Sequence, residues 1–372
     1  MVACLLGFAV RTAARRSTAL GFVSLSLAVG ACEGGDELPV EHTEHLDVYP
    51  SDEDRVCAGT LDDMEASVAA FTDFLGVELE TRITVYYGRG AVDEHCRAVA
   101  GGCAWTEDEE SFVAGTGDVI DHELVHGVRY ATGIRGRRFF EEGIAVYVSA
   151  IFSSGFQLGT APSSVGERGP LQLYDLPSNE ITFDDYGTAA SFTHWLFETS
   201  GDAQALGFLE DARYADASDV DGAFIDHLGQ SIADADAQWR SSGDDIHMFG
   251  ERCSGAIERP WSADGFVFEG VLDCADHDTL GPVNGSMSHR RLCIEIPAAI
   301  TLDVALEGAA GDVYLRSDAC AASQGLEAEA YQDKHVDAAM LERHEFAACR
   351  WIVVVNGEPD GRGGPFTLRL TP

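Results

Sequence analysis

The segment 118–126 constrains this chain more than any other, because it combines a helical pattern with residues that can act together on one metal ion. It contains His122, Glu123 and His126 in the spacing His-Glu-x-x-His. Residues four apart lie on the same face of an α-helix, so both imidazoles can bind the same ion. Glu123 is rotated by about 100° from His122 around the helix axis. A carboxylate at that position can accept a proton from a metal-bound water.

The residues around this motif favour a helix. Thr116 or Asp118 can cap its start. Four apolar residues supply buried faces at helical spacing: Val119, Ile120, Leu124 and Val125. The pattern therefore predicts that the two histidines project from a packed, rigid element.

A third ligand is expected downstream, because a catalytic zinc site normally has three protein ligands. Residues 139–145 read Phe-Phe-Glu-Glu-Gly-Ile-Ala and offer Glu141 or Glu142. Neighbours on a helix point about 100° apart, so only one of them can face the ion. The position before Gly143 favours Glu142. Small residues here let a second helix pack close to the first.

Together the two motifs resemble the gluzincin metallopeptidases, in which a Glu, often in Glu-Gly-x-Ala, completes a His-Glu-x-x-His site. The resemblance implies a Zn²⁺ cofactor held by His122, His126 and Glu142. It also implies Glu123 as the general base and a peptide or protein as the substrate. The metzincin family is excluded, because its longer motif requires Gly and His where this chain has Arg129 and Thr132.

Two features depart from that family. Only fifteen residues separate His126 from Glu142, which predicts a tight turn between the two helices. Thermolysin-like members also place a carboxylate four residues after the third ligand, where this chain has Val146. Support for the ligand histidines must therefore come from elsewhere, and Asp121 is one candidate.

Residues 186–196 begin a further helix, which resembles the Tyr-x-x-small helix of aminopeptidase-like gluzincins. The resemblance implies that the Tyr186 hydroxyl donates to the oxyanion of the reaction. The alternative is a buried tyrosine whose hydroxyl is satisfied within the fold. His194 lies two turns further on and is predicted to be structural.

The amino-terminal residues 1–31 have the pattern of an export signal. A basic flank precedes the apolar run Ala19–Ala31, which is too short to span a membrane as a stable helix. The run ends in Val29-Gly30-Ala31-Cys32, which resembles a bacterial lipoprotein box. This implies lipidation of Cys32, a membrane partner through that anchor, and a location at the cell envelope or outside it. The alternative is a cleaved signal that leaves Cys32 as a thiol. Residues 32–54 are predicted to be an acidic tether.

Charge and cysteine content limit the partners and the compartment. The formal net charge is −39, which makes nucleic acid an unsuitable partner. Ten cysteines are present, and eight remain after Cys4 and Cys32 are set aside. An even number in an exported chain predicts disulfides. The predicted pairs are Cys96 with Cys103, Cys320 with Cys349, and Cys57 with Cys253, the last joining the two halves of the chain.

The fold class predicted for residues 55–250 is an α+β zincin-like domain, with a small sheet and several helices. Its predicted elements are a helix at Leu61–Leu75, strands at Arg82–Tyr87 and Ser111–Gly115, the two motif helices, a long loop at 153–180, the Tyr186 helix, and two more helices between 203 and 240.

Residues 262–372 consist of short β-rich runs separated by turns, which predicts a β-sandwich. The runs are Phe266–Phe268, Leu292–Ile296, Ile300–Leu306, Val313–Leu315, Trp351–Val355 and Phe366–Leu370. The segment resembles the bacterial pre-peptidase C-terminal domain.

Two functions are compatible with these features. The first is an exported zinc metallopeptidase with Glu123 as its base. The second is a surface-anchored binding protein with a catalytically silent zincin domain. The intact Glu123 favours the first, since a structural metal site gives no reason to keep a base beside the ion.

Overall fold

The computed structural model describes residues 40–51, 56–96, 101–117, 119–152, 168–211, 216–242, 257–262, 264–283, 287–317, 333–357 and 363–372. These residues all belong to one compact unit, Leu38–Pro372. The predicted export signal, the lipidation site Cys32, most of the loop 153–180, and the cysteines Cys253 and Cys320 lie outside the described residues. The described residues contain both helices and strands, and these strands form three sheets.

The first sheet has five strands in the order β1-β2-β3-β5-β4. Their bounds are β1 Glu41–His42, β2 Leu46–Pro50, β3 Ile83–Tyr87, β4 Gly102–Glu107 and β5 Glu110–Gly115. Strands β2, β3 and β5 are parallel, and β4 pairs antiparallel with β5 at one edge. Strands β3 and β5 were predicted from the sequence, whereas β4 was not.

Part of the predicted acidic tether is a strand of this sheet. Leu46 and Val48 of β2 are fully buried, whereas Asp47 and Tyr49 between and after them are not. This alternation fits a strand that covers a core on one face. The prediction of a tether was therefore wrong for residues 46–50, because the charged residues around them concealed two buried side chains.

The described residues form nine helices around this sheet. Their bounds are α1 Ala58–Leu75, α2 Arg89–His95, α3 Ile120–Ala131, α4 Arg138–Phe152, α5 Pro170–Leu173, α6 Phe183–Ser200, α7 Asp202–Asp211, α8 Ala217–Leu228 and α9 Ile232–Ser241. None of them is both long enough and apolar enough to cross a membrane. Helix α3 contacts β5 and β4 on one side and α1 and α4 on the other, while α4 packs against α6.

The region 203–240 contains three helices where the sequence predicted two. The predicted second helix, which ran from Phe224 to Trp239, is divided into α8 and α9. Gly229 ends α8 in a left-handed conformation, and the Ser231 hydroxyl starts α9 by accepting a hydrogen bond from the Asp234 amide. Such a cap satisfies amides that have no partner within the helix. The sequence pattern missed the division because apolar spacing continues across it.

The carboxyl-terminal half is a β-sandwich of a four-stranded sheet, β13-β10-β15-β7, and a second sheet of order β12-β11-β14-β9-β6 with β8 paired to β9. Its strands are β6 Ile257–Arg259, β7 Phe266–Val271, β8 Leu280–Val283, β9 Met287–Ile296, β10 Ile300–Gly308, β11 Ala310–Ser317, β12 Asp333–Asp337, β13 Leu341–Phe346, β14 Cys349–Gly357 and β15 Pro365–Thr371. Side chains from both sheets form one buried cluster that includes Trp351 and Phe346. The six predicted runs all lie in strands. Strands β6, β12 and β13 were missed because they contain few apolar residues, and β8 was missed because it is short and contains a glycine and a proline.

Disulfides join the two halves and close one loop. Cys96 is bonded to Cys103, as predicted. Cys57 is bonded to Cys274 instead of Cys253, so that predicted pair was wrong. The start of α1 lies against residues 274–281, where the Ala58 amide donates to the Cys274 carbonyl. Cys349 is disulfide-bonded.

Candidate metal centre

Helix α3 holds the two motif histidines and the motif glutamate together. It begins at Ile120, and Thr116 supports this start through its backbone carbonyl, which accepts hydrogen bonds from the amides of Val119 and Ile120. His122, Glu123 and His126 are all buried, and their possible ligand atoms lie within 4.8 Å of one another. The two imidazole rings are 4.9 Å apart and nearly perpendicular. The helix therefore brings the three residues together, as the spacing predicted.

Helix α4 brings Glu142 to the same place. Glu142 Oε2 lies 3.1 Å from His122 Nε2 and 3.4 Å from His126 Nε2. The next residue, Gly143, faces α6, where an added Cβ would lie 2.7 Å from the Ala189 carbonyl oxygen. Because glycine leaves this space empty, α4 can approach α6 closely. One oxygen of the buried Glu142 carboxylate thus faces both imidazoles.

Glu141 has different partners, which separates it from Glu142. It accepts hydrogen bonds from Arg129 Nε and Nη2 at 3.1 and 2.7 Å, and from the Gly136 amide at 2.5 Å. Its Oε2 also lies 3.9 Å from His126 Nδ1. Burial by itself would raise the pKa of Glu141, but Arg129 and His126 lower it to about 2. Glu141 is therefore a charged partner behind His126, and Glu142 is the carboxylate that faces both Nε2 atoms.

The donor set fits a zinc ion. Zinc binds nitrogen and oxygen ligands at about 2.0–2.1 Å, so two ligand atoms of a tetrahedral site are about 3.3–3.4 Å apart. The separations from Glu142 Oε2 to the two Nε2 atoms, 3.1 and 3.4 Å, are close to that value. Two imidazoles and one carboxylate are also a common ligand set of catalytic zinc. His122, His126 and Glu142 could therefore hold zinc with little rearrangement.

Glu123 lies beside this group, under the edge strand of the sheet. Burial raises the pKa of Glu123, and the charges of His122 and His126 oppose that effect. A Cβ added at Gly102, the first residue of β4, would lie 2.7 Å from Glu123 Cγ. The backbone of the edge strand thus passes directly against the carboxylate side chain. Gly102 was missed by the sequence analysis, although a glycine at the start of a strand can mark such an approach.

Tyr186 and Arg138 form a polar contact next to the ligands. Tyr186 lies in the first turn of α6, with its ring 6.0 Å from that of His122 and nearly parallel to it. Its hydroxyl oxygen accepts a hydrogen bond from Arg138 Nη2 at 2.6 Å, and the same Nη2 lies 2.9 Å from Glu142 Oε1. Burial and the Glu142 charge raise the pKa of Tyr186. Arg138 was assigned no role from the sequence, although it is four residues before Glu142.

His194 and Asp121 are the other candidates near the motif. His194 packs against the Tyr147 ring, and its Nε2 is 3.2 Å from Glu198. The structure thus places His194 among partners of its own. Asp121 is buried in the first turn of α3. The carboxylate that lies near the Nδ1 of a ligand histidine is Glu141.

No protein-family model matches the chain, and no curated protein matches it either. Among solved structures, one neighbour is the pre-peptidase C-terminal domain of a collagenase from Bacillus anthracis. The two share 12% sequence identity over 31% of this chain and 94% of that one, with a TM-score of 0.22.

Proposed function

We propose that this chain is an exported zinc metallopeptidase of the gluzincin type, with a zincin-like domain followed by the β-sandwich. The observation that carries the proposal is the position of Glu142 Oε2, 3.1 and 3.4 Å from the two histidine Nε2 atoms. Glu123 lies buried within the same cluster, and the charges that oppose the effect of burial on its pKa are first those of His122 and His126, the two candidate ligands. Burying a charge is costly unless it is compensated, so a functional use is favoured over a silent binding domain.

In this proposal each residue has one task. His122, His126 and Glu142 hold the ion, which when bound polarises the scissile carbonyl and lowers the pKa of a water. Glu123 accepts the proton of the attacking water and then transfers it to the leaving amine. Tyr186 donates a hydrogen bond to the oxyanion that develops on the carbonyl. Burial of these side chains strengthens each of these interactions, because little water competes for them.

A peptide substrate suits the edge of the first sheet. Among the described strands, β4 is the last in the sheet order and has one neighbour, β5. An extended peptide can add to such an edge through main-chain hydrogen bonds. Because Gly102 of β4 lies against Glu123, a peptide added there would pass close to the base. Export fits the disulfides, which persist mainly in oxidising compartments. Lipid attachment at Cys32 remains a prediction.

The test uses the purified mature chain and an unstructured protein as substrate, with zinc content measured in parallel. Wild type should contain about one zinc per chain, as expected for a single site of this type. Its cleavage activity should disappear with a chelator. Glu123→Gln should keep the zinc and lose cleavage, whereas His122→Ala should lose both. Glu198→Gln, on the exposed side of α6, is the control and should change neither. Wild type that purifies without zinc, or zinc-loaded wild type that cleaves nothing, would contradict the proposal.

A further inference from the structure

The most informative polar group that the mechanism leaves unused is the Arg138 guanidinium. Arg138 lies in the first turn of α4, and its side chain is 40% exposed. Its Nη2 lies within hydrogen-bond distance of two residues of the site: Glu142 Oε1 at 2.9 Å and the Tyr186 hydroxyl oxygen at 2.6 Å. These two residues come from different helices, so the guanidinium connects α4 to α6 at the metal centre.

The two carboxylate oxygens of Glu142 have different partners. Arg138 contacts Oε1, while Oε2 is the atom that faces both imidazole Nε2 atoms. A guanidinium on one carboxylate oxygen draws charge to that oxygen and fixes the direction of the other, which favours binding of an ion through the free oxygen. The geometry therefore favours binding of the ion through Oε2 of Glu142 alone. Partners of this kind, which orient a metal ligand from behind, commonly change metal affinity by about 10–100-fold.

The contact with Tyr186 determines how the hydroxyl can be used. An arginine side chain has only N–H donors and no acceptor, so the tyrosine oxygen must accept this hydrogen bond. The tyrosine retains one O–H proton of its own, and its second side-chain hydrogen-bond partner in this structure is the Glu142 carboxylate. Tyr186 stands beside the His122 ring, so the group that receives that proton lies at the metal centre.

We propose that Arg138 is a positioning residue of this site. It holds Glu142 so that one carboxylate oxygen, Oε2, faces the ion. By donating to the Tyr186 oxygen it also keeps the Tyr186 O–H in the donor role, first toward Glu142 and then toward the substrate oxyanion. This inference rests on the proposed function. Arg138 then couples the third ligand, Glu142, to the oxyanion donor, Tyr186. The alternative is an ion pair that only compensates the buried Glu142 charge.

The experiment compares Arg138→Gln and Arg138→Lys with wild type, in the mature chain. Zinc affinity is measured by competition with a chelator, and kcat and KM are measured at saturating zinc. Arg138→Gln should weaken zinc binding by about 10–100-fold. At saturating zinc it should lower kcat more than it raises KM, because an oxyanion donor acts in the transition state. Lysine keeps the charge but not the planar fork, so it should restore only part of each effect.

A double variant tests the coupling to Tyr186. If Arg138 acts through Tyr186, Arg138→Gln/Tyr186→Phe should lose no more kcat than the worse single variant. Arg137→Gln is the matched control, since Arg137 donates to the Tyr174 and Asp175 carbonyl oxygens. It should leave zinc affinity and kcat unchanged.

Three outcomes would overturn the inference. They are unchanged zinc affinity in Arg138→Gln, full rescue by lysine, and losses of kcat that multiply in the double variant. Zinc-loaded wild type without any cleavage would instead overturn the proposed function, and with it the role of Arg138 toward Tyr186. The zinc affinities would still decide whether Arg138 positions Glu142. If Arg138→Gln does not fold, the lysine variant supports the same measurements.

Discussion

At the scale of single residues, two adjacent carboxylates in α4 have different environments because the helix turns them apart. Glu141 pairs with Arg129, which is only 2% exposed, and Glu142 faces the two imidazoles. Glu141→Gln should lower the free energy of unfolding by about 3–5 kcal/mol, because it leaves a buried guanidinium unpaired. Glu142→Gln should instead mainly weaken zinc binding. Thermal unfolding of the metal-free protein and chelator competition separate the two effects.

The opposite pattern would show that the ligand assignment is displaced by one residue. In that case Glu141→Gln would lose zinc at an unchanged melting temperature, and Glu142→Gln would unfold early. The Gln substitutions keep the size of both side chains, so a difference between them reports on charge and hydrogen bonding.

Gly102 gives a second prediction at this scale. A Cβ at this position would lie 2.7 Å from Glu123 Cγ and 2.9 Å from the Ala114 carbonyl oxygen. Gly102→Ala should therefore displace the base and lower kcat by about 10–100-fold while zinc is retained, as for other small misplacements of a catalytic group. At the neighbouring Gly101 an added Cβ would meet only the Val119 side chain, at 3.3 Å. Gly101→Ala should be nearly silent, and equal losses of kcat would refute the assigned contact.

At the scale of elements, the packing of α4 on α6 depends on Gly143. An added Cβ would lie 2.3 Å from Thr193 Oγ1 and 2.7 Å from the Ala189 carbonyl oxygen. Gly143→Ala should force the helices apart and cost about 1–3 kcal/mol of unfolding free energy. Gly222, in the interior of α8, has nothing within 4 Å of an added Cβ. Gly222→Ala should therefore stabilise by about 0.5–1 kcal/mol in denaturant unfolding, through helix propensity.

If both alanines changed stability in the same direction, the close approach of α4 and α6 would not be the reason for glycine at position 143. Zinc affinity provides an additional check. It should fall in Gly143→Ala, whose neighbour Glu142 would shift, and not in Gly222→Ala.

The start of α6, which carries Tyr186, depends on Asp185. Burial alone would raise the pKa of Asp185, but hydrogen bonds from Arg168 and from the Thr182 amide and hydroxyl lower it. A lowered folded-state pKa contributes stability above the unfolded value of about 3.9. That stability is lost as the pH falls through the folded-state pKa.

Asp185→Asn should therefore lower the free energy of unfolding by about 1–2 kcal/mol at neutral pH, the usual cost of a lost helix cap. The difference from wild type should shrink as the pH falls below about 4, where Asp185 begins to protonate in the unfolded chain while it stays charged in the folded one. Thermal unfolding of both proteins from pH 7 to pH 3 measures this. A difference that does not depend on pH would mean that the Asp185 charge has no role.

At the scale of the whole molecule, the β-sandwich is hydrogen-bonded to helix α1, which packs against the helix that carries the ligand histidines. Thr60 Oγ1 in α1 donates to the Gly281 carbonyl at 3.0 Å and accepts from its amide at 2.6 Å. Arg291 of β9, which is buried, donates to Asp63 at 2.6 Å. Helix α1 in turn packs against α3, which carries the ligand histidines. Removal of the sandwich after about residue 260 would therefore also disturb α1.

The disulfide at this junction gives the last prediction. Cys57 and Cys274 are 217 residues apart in the sequence. Cys57→Ser/Cys274→Ser should lower the free energy of unfolding by about 5 kcal/mol, as expected for closing a long loop in the unfolded chain. The control is Cys96→Ser/Cys103→Ser, whose loop spans seven residues and should cost about 2 kcal/mol. Equal losses in denaturant unfolding would argue against a long-range role of the Cys57–Cys274 bond.

The sequence alone determined those features that depend on local periodicity. Residues four apart share a helix face whatever surrounds them, so His122, His126 and the adjacent Glu123 could be placed together in advance. The same reasoning found α1, α4 and the six apolar strands of the sandwich. It failed for β4, β12 and β13, whose residues are too polar or too small for a period-two pattern to appear. It also failed for β2, where two buried side chains lie among charged neighbours.

The tertiary structure decided everything that depends on which elements meet. The sequence favoured Glu142 over Glu141 only by its position before Gly143, and it is the packing of α4 against α3 that places Glu141 against Arg129 and Glu142 against the imidazoles. The Arg138–Tyr186 hydrogen bond joins residues 48 positions apart, and the Cys57–Cys274 bond joins residues 217 apart. No short-range pattern can reveal such pairs, because they form only when buried surfaces of distant segments pack together. The metal ligands could therefore be predicted from short sequence motifs, whereas the contacts that support them could not.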